Sequence, residues 1–260
     1  MIKRFGLMLF TFVGWVGLSW AMTADEIVAK AIHMAYYQGE DMKAKVHMKI
    51  IDSQGRKRER ELVMLRKDIQ EDKEQKYYVY FLAPPDVEGM VYMVWKHLGR
   101  DDDRWLYLPA LDLVRRIAAS DKRSSFVGSD FVYEDISGRN LDDDVHELVK
   151  EDDEFYVVKN TPKDSDSVEF SYYLVKISKK DFLPRRFEYY DKQGKLYRTI
   201  EMLEIKDVQG HPTVVKARAT NLESGSHTDL SYDSVEYDIG VGENIFTERY
   251  LRRPPKKWIR

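Results

Sequence analysis

The chain has 260 residues, of which 43% are hydrophobic and 33% are charged, a balance typical of a folded globular protein. Its formal net charge of −3 does not supply the basic surface that neutralises nucleic-acid phosphates, so nucleic acid is not an expected partner. The chain contains no cysteine, which excludes disulfides and the acylated cysteine of a bacterial lipoprotein.

Residues 1–21 have the pattern of a secretory signal peptide. Lys3 and Arg4 precede an apolar run, and the closing SWA marks a cleavage site after Ala21. The run is short for a membrane-spanning helix and no stop-transfer flank follows it; the alternative is an uncleaved N-terminal anchor helix. We therefore expect the protein to be exported, with one soluble domain formed by residues 22–260.

The exported chain is expected to begin with a helix. Thr23 and Glu26 have the spacing of a capping box, in which each side chain accepts a hydrogen bond from a free backbone N–H. Apolar residues then recur at helical spacing and form a single stripe: Ala24, Ile27, Val28, Ala31, Ile32 and Ala35. Gly39 marks the expected end. With one apolar face, this helix must pack on a larger body.

From residue 43 onwards the sequence is typical of β-strands. Apolar and polar residues alternate in KAKVHMKI, as in a half-buried antiparallel strand, and the turn DSQGR leads to RERELVMLR. Further runs rich in aromatic and β-branched residues include QKYYVYFL, MVYMVW, RWLYLP, DLVRRIA, VEFSYYLVKIS, PRRFEYYD and HPTVVKARATNL. About ten or eleven strands without helical crossovers are expected.

These elements predict a mainly β fold of the α+β class. A strongly curved antiparallel sheet forms an incomplete barrel, and the N-terminal helix and short helices cover its concave face. Such a partly covered apolar face leaves a cavity for a ligand. The candidate lining residues are Val46, Met48, Ile50, Met64, Tyr78, Tyr80, Met93, Trp95, Leu106 and Leu108. The alternative for each of them is ordinary core packing.

The histidines do not have the spacing of a metal site. The six are His33, His47, His97, His146, His211 and His227, and no two are four residues apart. The acidic runs 101–103 and 142–144 lack the alternating ligands and glycine of a calcium loop and are interpreted as turns. No metal and no cofactor are expected.

The stretch SSFVGSDFVYED raises the question of a catalytic serine. A nucleophile elbow has the form G-x-S-x-G between a strand and a helix, whereas here a single glycine precedes the serine. We interpret the stretch as a structural corner formed by Gly128, Ser129, Asp130, Phe131 and Tyr133. Ser129 is expected to cap a short helical turn, with Asp130 at its positive end. No enzymatic activity is expected.

The basic segment RRPPKKWIR, residues 252–260, has two interpretations. It is either a solvated terminus or a contact site for anionic lipid or an acidic partner. Trp258 favours a contact, because its ring is amphipathic.

Three segments carry a family resemblance: FLAPPDVEGMVYMVW, DDRWLYLPALDLVRRIAASDKRSSFVGSDFVYEDI and IFTERYLRR. They resemble the outer-membrane lipoprotein-sorting proteins of the LolA/LolB-like superfamily, and more narrowly the branch found beside RND-type exporters. The resemblance implies an incomplete, curved barrel with helices at its mouth. It also implies a periplasmic carrier that shields the acyl chains of a lipid or lipoprotein and hands it on towards the outer membrane. An inner-membrane exporter and an outer-membrane acceptor would be its partners.

Two other functions are consistent with the same elements. A fully packed sheet would suit a non-catalytic envelope adaptor that docks an RND-type exporter, and a cavity would argue against it. A hydrolase would need Ser129, Asp130 or a histidine to meet in one cleft.

Overall fold

The computed structural model describes residues 22–259. The first helix, α1 (Ala24–Tyr36), begins as predicted: Thr23 Oγ1 accepts a hydrogen bond from the N–H of Glu26, and Glu26 Oε2 accepts one from the N–H of Thr23. The predicted signal peptide lies outside the described residues. Its cleavage after Ala21, and the assignment of the remainder to one domain, stay predictions.

The strands and the short helices follow α1. In the described part of the chain the strands are β1 (Asp41–Ile51), β2 (Lys57–Asp68), β3 (Gln75–Ala83), β4 (Val91–Lys96), β5 (Asp103–Leu108), β6 (Leu113–Ile117), β7 (Asp144–Glu151), β8 (Phe155–Pro162), β9 (Phe170–Ser178), β10 (Pro184–Asp191), β11 (Leu196–Val208), β12 (His211–Asn221) and β13 (Ser226–Tyr237). The short helices are α2 (Tyr133–Ser137), α3 (Glu248–Arg252) and α4 (Lys256–Ile259). The strands are more numerous than the ten or eleven expected.

All thirteen described strands belong to one antiparallel sheet, in the order β6-β5-β4-β3-β2-β1-β13-β12-β11-β10-β9-β8-β7. Strands that are consecutive in sequence are neighbours in the sheet, and one further pairing joins β1 to β13, with Met48 opposite Leu230. The sheet does not close, because β6 and β7 form its two edges. The predicted mainly β fold, an incomplete barrel with an N-terminal helix, is confirmed.

The two faces of the sheet carry separate hydrophobic cores. On the inner face, Val46 and Phe81 belong to the same buried cluster as Ile27 of α1. On the outer face of β2–β5, Leu65 belongs to a second cluster that includes Phe246 from the C-terminal part of the chain. Strands β2–β5 are therefore apolar on both sides.

Residues 238–259 cover the outer face of these strands. The carboxylate of Asp41 accepts hydrogen bonds from three successive backbone N–H groups, residues 239–241, and the indole of Trp95 donates to the carbonyl of Phe246 at 2.9 Å. The outer face of these strands is thus closed by the chain itself, whereas on the inner side of the sheet α1 packs against β7, β8 and β12. None of the described helices combines the length and apolarity needed to cross a bilayer.

Candidate functional site

An apolar cavity of about 200 Å³ lies between the C-terminal half of α1 and the inner face of the sheet. Strands β10–β13 provide much of its wall. Its lining includes four methionines, which come from α1, β1, β2 and β11: Met34, Met42, Met64 and Met202. Because methionine is unbranched and flexible, such a wall adapts to apolar ligands of different shapes.

A second compartment of about 70 Å³ lies beside the first, also under α1. Val28 of α1 lines it together with Val175 of β9. Tyr36, Phe187 and Tyr189 line both compartments. The two compartments therefore adjoin and form one apolar space beneath α1.

A buried arginine holds the C-terminal end of α1. Arg66 of β2 donates to the carbonyl of Tyr36 at 2.6 Å and to those of Gln38 and Gly39 at 2.5 Å each. Helix geometry leaves the last carbonyls of α1, including that of Tyr36, without partners inside the helix. Arg66 Nε also lies 3.3 Å from Asp68, whose pKa burial raises to about 6 although the charge of Arg66 opposes the shift. Arg66 thus fixes the helix end that walls the cavity.

A buried charge network surrounds Glu134 of α2. Its carboxylate lies 3.1 Å from both Arg123 and Arg139 and 3.5 Å from Lys122. Burial acts to raise the pKa of Glu134, but the positive charges of Arg139, Arg123 and Lys122 outweigh it and lower the pKa to about 2. Arg139 also pairs with the buried Asp144 of β7 at 2.8 Å. The network fastens α2 to the β7 edge of the sheet.

A second buried ion pair fastens α2 to β11. Arg198 pairs with Asp135 and donates from Nε to the carbonyl of Asp130 at 3.2 Å. Its guanidinium lies 5.0 Å from the centre of the Tyr189 ring. Because Asp135 lines both compartments, this pair fixes one side of the apolar space.

A wider polar pocket of about 650 Å³ adjoins the smaller compartment, and Ile32, Glu134 and Arg139 line both. The buried Lys96 lies in its wall and donates to the carbonyl of Ser137 at 2.7 Å. Burial lowers the pKa of Lys96 to about 8. The apolar space therefore has a charged pocket at its side.

Of the ten residues predicted to line a cavity, Met64 lies in the wall of the one described above. Five others pack in the inner-face core: Val46, Met48, Ile50, Leu106 and Leu108. The remaining four belong to the outer face, away from the cavity: Tyr78, Tyr80, Met93 and Trp95. Sequence reasoning missed Phe187 and Tyr189, whose alternation in PRRFEYYD was the available signal.

The stretch around Gly128 forms a tight turn. Gly128 has φ +77°, a left-handed conformation that favours glycine. The hydroxyl of Ser129 donates to the carbonyl of Phe126 at 2.7 Å and accepts from the N–H of Phe131 at 3.2 Å. The side chains of Phe131 and Tyr133 are buried in the inner-face core.

Ser129 does not cap α2, contrary to the prediction. The N-cap residue is Val132, and its N–H donates to the carboxylate of Asp135 at 2.7 Å. Asp130 precedes this N-cap and lies outside the helix, and its carboxylate accepts from the hydroxyl of Thr228 at 2.7 Å. The corner is therefore fastened to β13 as well as to itself.

Substitution of Ser129 by alanine is expected to lower the free energy of unfolding by about 1 kcal/mol, because two backbone groups of the turn lose a buried partner. Urea denaturation measures the change. The exposed Ser120 provides a matched control, and Ser120→Ala should stay within about 0.5 kcal/mol of the wild type. Equal stabilities for the two variants would show that the hydroxyl does not hold the corner.

One group of metal-binding residue types occurs at the surface. His33, Glu71 and Asp72 offer ligand atoms within 4.8 Å of one another. His33 Nδ1 lies 2.6 Å from Asp72 Oδ1, and both side chains are exposed. We interpret the group as an exposed hydrogen-bonded contact between His33 and Asp72, whose energetic contribution is small.

The solved structures similar to the chain include three whose matches each cover 88% of it. A DUF1329 family protein from Desulfovibrio piger is 28% identical over 97% of its own length, with a TM-score of 0.81. A domain described as an outer membrane lipoprotein-sorting protein, from Vibrio parahaemolyticus, is 26% identical over 98% of its length, with a TM-score of 0.80. A LolA superfamily protein from Nitrosomonas europaea shares the fold, with 22% identity over its whole length and a TM-score of 0.69.

No curated protein matches the chain. A family model described as an uncharacterized protein matches residues 73–253, more than half of the chain. The match includes α2, the Glu134 network and strands β10–β13. The chain therefore belongs to this family of uncharacterized proteins, and its structural relatives are DUF1329 and LolA-like lipoprotein-sorting proteins.

Proposed function

We propose that the protein is a non-catalytic periplasmic carrier that shields the acyl chains of a lipid or lipoprotein and hands it on towards the outer membrane. The observation that carries the proposal is the apolar space between α1 and the inner face of the sheet. The names of two structural relatives, a lipoprotein-sorting domain and a LolA superfamily protein, support it. Cargo would come from an inner-membrane exporter, of the RND type, and pass to an outer-membrane acceptor.

The energetics of acyl-chain burial suit such a carrier. Each methylene group moved from water into an apolar space contributes ~0.8 kcal/mol. Sites for drug-sized ligands have volumes of roughly 300–1,000 Å³, whereas the two compartments have about 200 and 70 Å³. They hold part of one acyl chain, so a larger cargo requires α1 to move away from the sheet.

A carrier of this kind needs no reacting group. The hydroxyl of Ser129 is buried and both donates to and accepts from the backbone of its own turn, so it is not free to attack a substrate. This engagement supports a non-catalytic function.

Extraction of the protein from its own periplasm tests the proposal. Native mass spectrometry followed by solvent extraction should detect a bound lipid or acylated peptide, and delipidated protein should regain lipid from vesicles. An adaptor that docks an exporter would carry no lipid and gain none, and that result would overturn the carrier function.

Ala217→Phe should lower the amount of cargo bound in the cavity. Ala217 of β12 is buried in the cavity wall, and a phenyl ring that displaces about two methylene groups costs the ligand ~1.6 kcal/mol. Bound lipid should then fall about tenfold, measured by mass spectrometry of extracts. Ala118→Phe, at an exposed position outside the apolar space, is the matched control and should keep its lipid. Equal lipid content in the two folded variants would place the cargo elsewhere.

A further inference from the structure

The C-terminal segment, residues 248–259, has one apolar face and one basic face. Leu251 and Trp258 pack against the outer-face cluster of the sheet. The basic side chains lie on the exposed side: Arg249, Arg252, Arg253, Lys256 and Lys257. Glu248 is the single acidic residue of the segment. The segment is thus strongly cationic, whereas the whole chain has a formal net charge of −3.

Most of these cations are not neutralised by the protein. Arg252 pairs with Asp112, at 2.9 Å, in the turn between β5 and β6. Within the described residues, the other four form no ion pair with a carboxylate. Lys257 is exposed, and its ammonium group lies 4.3 Å from the centre of the Trp258 ring. Unpaired cations on one surface produce a positive potential that attracts anions.

Two exposed leucines lie beside this basic surface. Asp112, the partner of Arg252, is flanked in sequence by Leu111 and Leu113, which are 70% and 46% exposed. Leucine side chains so exposed next to basic residues match a membrane interface, where apolar groups enter the acyl boundary and cations contact anionic headgroups.

We propose that residues 248–259 and the β5–β6 turn form a docking surface for an anionic membrane. The cations contact the lipid headgroups, and Leu111 and Leu113 enter the interface. The net negative charge of the chain repels the same membrane elsewhere, so the surface also orients the protein. An acidic protein partner would match the charge but would leave the two leucines unexplained. The inference goes beyond the carrier function, since it does not depend on the cargo.

Vesicle flotation with the purified protein, residues 22–260, tests the surface. The protein should float with vesicles of phosphatidylethanolamine and phosphatidylglycerol, and not with pure phosphatidylcholine. Salt at about 0.5 M should release it, because the attraction is screened. The variant Arg253→Gln/Lys256→Gln/Lys257→Gln should bind about a hundredfold more weakly, at about fivefold for each charge. Leu111→Ser/Leu113→Ser should also weaken vesicle binding at low salt, because the two apolar side chains no longer enter the membrane interface.

The matched control removes the same charge from the other half of the sheet. Lys150, Lys163 and Lys195 are exposed, and their replacement by glutamine should leave vesicle binding unchanged. Equal binding by the two triple variants would overturn the proposal. So would a wild-type protein that ignores both vesicles and binds an acidic protein instead. Cargo content is measured separately, so either result leaves the carrier function standing.

Discussion

Glu134→Gln is expected to lower the free energy of unfolding by about 3–5 kcal/mol, the usual consequence of removing one partner from a buried ion pair. Glutamine has the same shape but no charge, so the buried Arg123 and Arg139 lose the carboxylate that lies 3.1 Å from each. Natural domains are stable by only about 5–15 kcal/mol, so the loss is a large fraction of the total. Urea denaturation measures it. Glu147→Gln on the exposed side of β7 is the matched control and should change stability by less than about 0.5 kcal/mol.

The same carboxylate should make the fold sensitive to acid. Its pKa is lowered in the folded protein to about 2, against an ordinary value of 4.5. A lowered folded-state pKa adds stability above the unfolded value, and this stability is lost as the pH falls from about 5 towards 2. A difference of about 2.5 pKa units corresponds to about 3 kcal/mol. The difference in free energy of unfolding between the wild type and Glu134→Gln should therefore shrink as the pH falls across this range. If the free energies of unfolding of the two proteins change in parallel with pH, the lowered pKa of Glu134 is not the cause of the acid sensitivity.

Arg66→Met is expected to destabilise the protein by about 3–5 kcal/mol and to loosen the end of α1. Methionine fills similar space but cannot donate to the carbonyls of Tyr36, Gln38 and Gly39. It also leaves Asp68 without the buried positive charge beside it. Urea denaturation measures the global loss. Relative to the wild type, amide hydrogen exchange should accelerate more in the last turn of α1 than in the sheet, because local opening becomes easier there.

Arg56 provides the control for Arg66. It also pairs with an aspartate, Asp52, at 2.6 Å, but its side chain is 73% exposed. Exposed pairs contribute about 0–1 kcal/mol, so Arg56→Met should be nearly neutral and leave exchange in α1 unchanged. If both variants lose the same free energy of unfolding, the burial of Arg66 does not account for its contribution to stability. The position of α1 matters for function, because this helix walls the proposed lipid cavity.

The regular elements could be predicted because each carries a local signal. The capping box at Thr23 fixes the start of α1, and the alternation in KAKVHMKI fixes which side of β1 faces inward. The hairpins were recognisable from their turns, so the sheet follows from the sequence as a series of consecutive pairings. These signals involve neighbouring residues and do not depend on the rest of the fold.

The cavity could not be placed from the sequence because several strands are apolar on both sides. In β3, Tyr77 and Val79 belong to the inner-face core, while Tyr78 belongs to the outer-face cluster. Chemically similar side chains therefore alternate between the faces, and composition does not identify which face α1 covers. The outer face of β2–β5 can be apolar because residues 238–259 cover it, and the position of these residues depends on long-range packing.

The buried charged residues around the cavity could not be identified from the sequence either. Arg66 reads as an ordinary polar position of a half-buried strand, and Glu134 as one of many acidic residues in the chain. Their contribution to stability comes from burial and from partners distant in sequence. Examples are the contacts of Arg66 with Tyr36 and of Arg198 with Asp135. A sequence pattern with short period carries no information on such contacts.

The pairing of β1 with β13 bears on how the chain folds. Every other strand pairing in the described sheet joins consecutive strands, so β1–β6 and β7–β13 are two ribbons that grow by adding hairpins with little loop-closure entropy. The entropic cost of bringing distant parts of the chain together is concentrated in the β1–β13 pairing, which contains a bulge between Lys45 and Val46. Residues 118–143, which contain α2, are the single connection from one ribbon to the other. Most of the strand pairings are thus local in sequence, and we expect formation of the β1–β13 pairing to be the slow step of folding, because it closes the longest loop.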